Sequence, residues 1–196
     1  MESLFQSVND LFNNKKTRKI LVKLRLPIAL IFIVAVIFQI KKEFFFWGLS
    51  ISFTGEFIQL WCFAALDKQQ TIARRGLYAI TRNPMYLGRY FIILGGIVLT
   101  GNIWLISVYT LFYYFYMVNR VKREEKTLKK VFGQEYSTYC QQVNRFFPFF
   151  ASSPGRGSSL KSLYFFKWKL FFQNHGHWNL LSVIVVYCII AYSVFW

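Results

Sequence analysis

The sequence predicts an all-α, polytopic integral membrane protein of about five transmembrane helices. Three observations carry this. The 196 residues are 55% hydrophobic and 21% aromatic, too apolar for an ordinary soluble domain. The apolar residues come in five blocks rather than in an amphipathic scatter. The 24 Lys and Arg residues collect at the ends of those blocks, as they do where a chain meets lipid head groups.

Residues 1–25 form a basic, mostly polar lead with six Lys/Arg. The first block, residues 26–40, is broken only by Gln39 and ends at Lys41-Lys42; Pro27 falls in its first turn, where a missing N–H costs little. No small-residue cleavage site follows it, so no cleavable signal is expected. The second block, residues 44–66, carries Ser52, Glu56 and Gln59 at i, i+4 and i+7, on one helical face. A carboxylate at bilayer depth must face protein or a wet cavity. Glu56 is therefore either a hydrogen-bond partner for a neighbouring helix or part of a substrate site. Residues 67–86 are a polar connection. Blocks 87–100 and 103–119 are joined by Gly101-Asn102, which is turn chemistry, and Gly95 and Gly96 would let a neighbouring helix approach closely. Residues 120–145 are the longest polar stretch, helix-forming to Val131. Residues 151–159 (ASSPGRGSS) read as a linker, 160–173 as a basic amphipathic helix in the interface plane, and 180–196 as a fifth span. This divides the chain into a core at 1–150 and an appended module at 151–196.

Charge sets the orientation. Lys/Arg number two at 41–43, five at 67–90, none at 101–102 and eleven at 120–178. Alternating sides place the N-terminus and both polar stretches in the cytoplasm and the C-terminus outside. The formal charge of +16 is thus assigned to membrane lipids as partners, not to nucleic acid, because no helix-turn-helix, RNP or zinc pattern accompanies it. Cys62, Cys140 and Cys188 are far apart and read as buried small hydrophobes. His175 and His177 lack further ligands nearby, so no metal is expected.

Two polar clusters flank the 87–119 hairpin. Upstream lie Gly76, Tyr78, Arg82, Pro84 and Tyr86; downstream lie Glu124-Glu125, Phe132-Gly133, Tyr136, and Arg145 with Pro148. In order and spacing these resemble the isoprenylcysteine carboxyl methyltransferase family and its phospholipid-methyltransferase relatives, over about residues 55–150. That family is marked by G-x-Y-x-x-x-R-H-P-x-Y, a membrane hairpin, an acidic pair, F-G-x-x-Y and a final R-x-x-P. The chain departs from it at Asn83, where the family has His. Asn donates and accepts hydrogen bonds but takes no proton at neutral pH.

The resemblance implies a membrane-bound enzyme that transfers a methyl group from S-adenosyl-L-methionine, with its cofactor pocket on the cytoplasmic side. There is no glycine-rich loop after a strand, so a Rossmann-type cofactor site has no support. Such a cofactor wants a carboxylate for its amino group, amide donors for its carboxylate, and aromatic faces. The resemblance assigns these to Glu124, to Asn83, Pro84, Met85 and Tyr86, to Tyr78, and to a segment lying along the cofactor at Gln70, Thr71, Ile72 and Ala73. Arg120 falls where substrate meets methyl donor and is the expected catalytic and substrate-binding residue, with Glu56 a second substrate contact. The acceptor is expected to be a lipophilic small molecule or lipidated substrate entering from the bilayer, with a prenylcysteine-type carboxylate favoured. A phospholipid amine, a non-catalytic scaffold keeping the fold, and a membrane reductase using a nicotinamide are the alternatives.

Overall fold

The computed structural model describes residues 34–67, 71–146 and 160–196, with Asn14, Ile20, Lys23, Leu24, Pro27 and Ile31. Six of the fifteen residues of the expected first span lie outside this set, as do Gln70, Pro148 and the 151–159 linker. The described chain is helical: α1 (Phe45–Ala65), α2 (Pro84–Val98), α3 (Ile103–Gln142), α4 (Leu160–Leu163), α5 (Trp168–Gln173) and α6 (Gly176–Phe195), with 3₁₀ turns at Lys42–Phe44 and Gly76–Ala79.

The core of the fold is the antiparallel pair α1–α2, and small residues make it. Two glycines seven apart on α1, Gly48 and Gly55, meet two glycines seven apart on α2, Gly95 and Gly88. A Cβ on Gly55 would lie 2.5 Å from the Gly88 carbonyl oxygen, and one on Gly95 would lie 2.4 Å from that of Gly48. Such a contact brings backbones together and leaves room for nothing larger. Ser52 sits midway, its Oγ donating to the Ile92 carbonyl at 2.8 Å. The expectation for Gly95 is met; Gly96 is different, for a Cβ there would meet nothing within 4 Å.

The α2–α3 turn forms as its residues dictate. Gly101 has φ +62°, and the Asn102 side chain caps α3 by accepting from the amides of Trp104 (3.0 Å) and Leu105 (3.3 Å). α3 does not stop where the apolar block stops. It runs on into the polar stretch as far as Phe132, is interrupted at Gly133 (φ 54°, ψ −124°), and resumes to Gln142.

The C-terminal helices pack back on α1. Tyr187 of α6 donates to the Gly48 carbonyl at 2.9 Å and lies 2.6 Å from Ser52 Oγ. The segment expected to be one amphipathic helix is instead two short helices, α4 and α5. They are separated by an extended bend at residues 165–167 that docks on α1, Lys167 N–H to the Ala64 carbonyl at 3.2 Å and Trp61 Nε1 to the Leu163 carbonyl at 3.2 Å. Tertiary hydrogen bonds override the amphipathic pattern there.

Polarity is inverted relative to a soluble protein. On α1, Ser52, Glu56 and Gln59 are buried, while Phe57, next to Glu56, is 60% exposed. Phe46 and Trp47 of α1, Trp104 and Leu111 of α3, and Trp178 and Ile189 of α6 also face outward, as lipid-facing side chains do. Among the described residues, α6 is the one helix long and apolar enough to cross a membrane by length and composition, and α2 is apolar but shorter. Three buried polar residues in α1 and the tyrosines of α3 dilute the other two.

Candidate active site

The corner ahead of α2 is built by a chain that cannot continue as helix. Pro84 at the first helical position of α2 disfavours helical geometry for Asn83, which adopts φ −131°, ψ 50°. The backbone groups this leaves open are taken by the segment that follows α3. Thr81 forms a parallel bridge with Asn144, Arg82 N–H donates to the Asn144 carbonyl at 2.9 Å, Thr81 Oγ1 to the Phe146 carbonyl at 3.0 Å, and Asn83 Nδ2 to the Arg145 carbonyl at 3.3 Å. Two stretches sixty residues apart in sequence are zipped together at one end of the hairpin.

The α2–α3 hairpin supplies the second side. Tyr113, Met117 and Val121 recur every four residues on α3 and pack against Tyr86; Tyr113 Oη donates to the Tyr86 carbonyl at 2.7 Å. The same stripe carries Arg120 to Tyr86 and Glu124. Arg120 Nε lies 2.9 Å from Glu124 Oε1 and 3.4 Å from Tyr86 Oη. The Arg120 and Glu124 side chains are 45% and 40% exposed, so a ligand can reach the pair. Tyr86, which precedes the apolar run, has its hydroxyl pushed up to about 12 by burial and by its hydrogen bond to Glu124, opposed by Arg120. It is a neutral donor at any physiological pH. The hydrogen bond to Tyr86, with the Glu124 charge, holds the Arg120 guanidinium protonated. Arg89 lies over the Tyr86 ring at 5.7 Å.

Glu125 points elsewhere. It accepts from Arg145 at 2.5 and 3.2 Å and pairs with Arg82 at 3.2 Å; the Glu125 and Arg82 side chains are mostly buried. Past the Gly133 kink, Tyr136 and Tyr139 pack with Val143 against Ile72. Tyr139 Oη donates to the Tyr78 carbonyl at 2.7 Å. Burial raises both tyrosine hydroxyls, so each stays a donor.

Of the residues named from sequence, Tyr86, Arg120 and Glu124 meet directly, and Asn83 and Pro84 form the corner beside them. Met85 and Ala73 pack on the Cys62–Ala65–Tyr78 cluster, Ile72 lies on the Tyr136 cluster, and Thr71 is exposed. Tyr78 is buried, its hydroxyl hydrogen-bonded to Cys62, so its ring serves packing. Gln70 lies outside the described residues. Glu56 is held by α6: Asn179 Nδ2 donates to its Oε2 at 2.6 Å, and its Oε1 is buried without a partner. The sequence names Arg82 only as a letter of the G-x-Y-x-x-x-R motif and gives it no role; its partnership with Glu125 had no sequence signal.

A cavity of about 550 Å³ lies between α1, α2, α3 and α6. Ile92, Ile93, Tyr109 and Phe112 give it apolar walls, and Gln59, Arg89 and Asn179 are its polar edges. Its volume falls in the range of small-molecule sites.

Comparison with known proteins identifies the family. The family described as phospholipid methyltransferase matches residues 28–135. The chain is similar to a protein-S-isoprenylcysteine O-methyltransferase of Tribolium castaneum, 35% identical over 83 residues, covering 42% of this chain and 30% of that protein. It is similar also to probable protein-S-isoprenylcysteine O-methyltransferases of Oryza sativa, subspecies indica and japonica, each 30% identical over 83 residues, covering 42% of this chain and 44% of theirs. The chain thus spans less than half the length of the curated relatives it matches. No solved structure matches it. The matched region contains the Asn83-Pro84 corner, the hairpin, Arg120 and both glutamates, and on it the chain belongs to the phospholipid methyltransferase family.

Proposed function

We propose that the protein transfers a methyl group from S-adenosyl-L-methionine to a lipophilic acceptor at the membrane interface, with a prenylcysteine-type carboxylate as the favoured acceptor. The observation that carries this is the bridge made by Arg120 between Tyr86 and Glu124. It joins the residue types that such a donor and such an acceptor both require, at the end of a membrane hairpin.

The donor set fits the cofactor. Glu124 would take its amino group as a charge-assisted hydrogen bond, and Asn83 and the backbone of the 83–86 corner would meet its polar groups; the Tyr86 ring is covered by Tyr113, Met117 and Arg89 and holds the corner in place. When bound, S-adenosylmethionine supplies a methyl group already activated on a sulfonium, so the protein contributes position, dryness and charge placement. Arg120 holds the acceptor carboxylate, and Glu124 keeps that guanidinium from swinging free. The neutral Tyr86 hydroxyl adds a donor without adding a charge. One carboxylate oxygen gains the methyl, and its negative charge and the sulfonium's positive charge are cancelled together, so no proton has to move. An amine acceptor would need a base to take its proton, and Asn83, where the family has His, offers none.

Five spans, a cytoplasmic N-terminus and a cytoplasmic cofactor site are part of the same proposal. The outward apolar surface of α1, α3 and α6 supports the spans, and the Lys/Arg asymmetry supports the orientation. The 550 Å³ cavity supports lateral entry of an apolar tail from the bilayer.

Incubating the purified chain with methyl-labelled donor and a panel of prenylcysteine, phospholipid-amine and fatty-acid acceptors tests this. Label in a base-labile ester of the prenylcysteine supports the proposal. Label confined to the phospholipid amine moves the assignment to N-methylation, and no label in any acceptor removes it.

A further inference from the structure

A second cavity, of about 520 Å³, belongs to none of this. It opens beside the return segment, and neither Tyr86, Arg120 nor Glu124 lines it. Its charged walls are Arg82, Lys122, Lys126, Lys129, Arg145 and Glu125. Five cations face one carboxylate, an excess of four positive charges. Glu125 is already committed to Arg82 and Arg145, so the three lysines have no carboxylate in the cavity to answer them. Lys122, Lys126 and Lys129 fall at i, i+4 and i+7 on one face of α3, a row about 10 Å long. Arg82 adds a buried Nε with no hydrogen-bond partner.

A solvated positive face would not look like this. Here the charges converge from α2's leading corner, from α3 and from the return segment onto one concavity, and two of the five are fixed in place by Glu125. Like charges held together destabilise the folded chain unless an anion of several charges joins them. Guanidinium forks and ammonium points together are the usual recognition chemistry for phosphate. The row begins three residues past Asn119, where the apolar block of α3 ends. That is head-group depth if α3 crosses the membrane.

We infer that this cavity is a binding site for a phosphate-bearing anion, presented as the head group of an anionic phospholipid in the leaflet where α3 ends. The inference does not depend on the methyl acceptor. Occupancy would brace the Arg82–Glu125–Arg145 joint, and through Thr81 and Asn83 the corner beside Tyr86.

The test uses the full chain in neutral detergent micelles, followed by thermal unfolding. Phosphatidic acid mixed into the micelles is expected to raise the melting temperature saturably, and phosphatidylcholine is expected not to. Lys126→Glu with Lys129→Glu, both exposed positions, is expected to weaken the phosphatidic acid response about tenfold or more without lowering the lipid-free melting temperature, since it relieves the repulsion. Lys130→Glu reverses one charge on the same helix outside the cavity and is expected to weaken the response by no more than about fivefold, less than the double variant does. An equal response to inorganic phosphate supports the phosphate site and assigns it to a soluble anion. No response to either, or equal losses in Lys130→Glu and the double variant, overturns the inference.

Discussion

Tyr86 and Arg120 meet hydroxyl to guanidinium at 3.4 Å, although the whole α2–α3 hairpin separates them in sequence. The contact exists because α3 ignores the change from apolar to polar sequence at Asn119 and keeps its helical register through Glu124. Removing the hydroxyl should therefore disturb Arg120 without unfolding the hairpin, which Tyr113 also holds. Tyr86→Phe is expected to raise the acceptor KM about tenfold, a loss of roughly 1.5 kcal/mol for one hydrogen bond to a charged group. Steady-state methyl transfer checks it.

Arg120→Lys keeps the charge and loses the planar fork. It is expected to lower kcat/KM at least about tenfold, with cofactor binding retained because Glu124 is still present. Isothermal titration with S-adenosylhomocysteine, run beside the kinetics, separates the two effects.

Glu125→Gln leaves Arg82 and Arg145 without their counter-charge. A broken buried pair costs roughly 3 kcal/mol or more, and the partial exposure of Arg145 puts the expected loss at or below that value. A lowered melting temperature, together with faster proteolysis of the 143–146 segment, would show that Glu125 fastens the return segment to the corner.

The α1–α2 contact gives a sharper contrast. Gly55→Leu and Gly95→Leu must push backbone from backbone and are expected to yield little folded protein by size-exclusion chromatography. Gly96→Leu, with open space at its Cβ, is expected to be tolerated.

Much of this was legible before any coordinates. The blocks, the Gly101-Asn102 turn and the polar face of α1 follow from periodicity and turn chemistry, and the motif spacing pointed to the corner and the acidic pair. What the sequence hid was pairing at long range. Gly48 and Gly88 look like isolated helical glycines until the helices are laid together. Glu124 and Glu125 are adjacent letters, yet helical geometry turns one to Tyr86 and the other to Arg82. Local pattern gave 160–173 one amphipathic helix, but hydrogen bonds to Ala64 and Trp61 broke it in two. The partner of Glu56, Asn179, lies 123 residues away, beyond any local signal.

The central claim is that Glu124, set by Arg120 against Tyr86, holds the methyl donor. Binding of S-adenosylhomocysteine to the purified 196-residue chain, read as a shift in melting temperature, tests it most directly. The account predicts a saturable stabilisation of the wild type that Glu124→Ala abolishes. A wild type that does not respond, or a Glu124→Ala variant that responds as the wild type does, would contradict it.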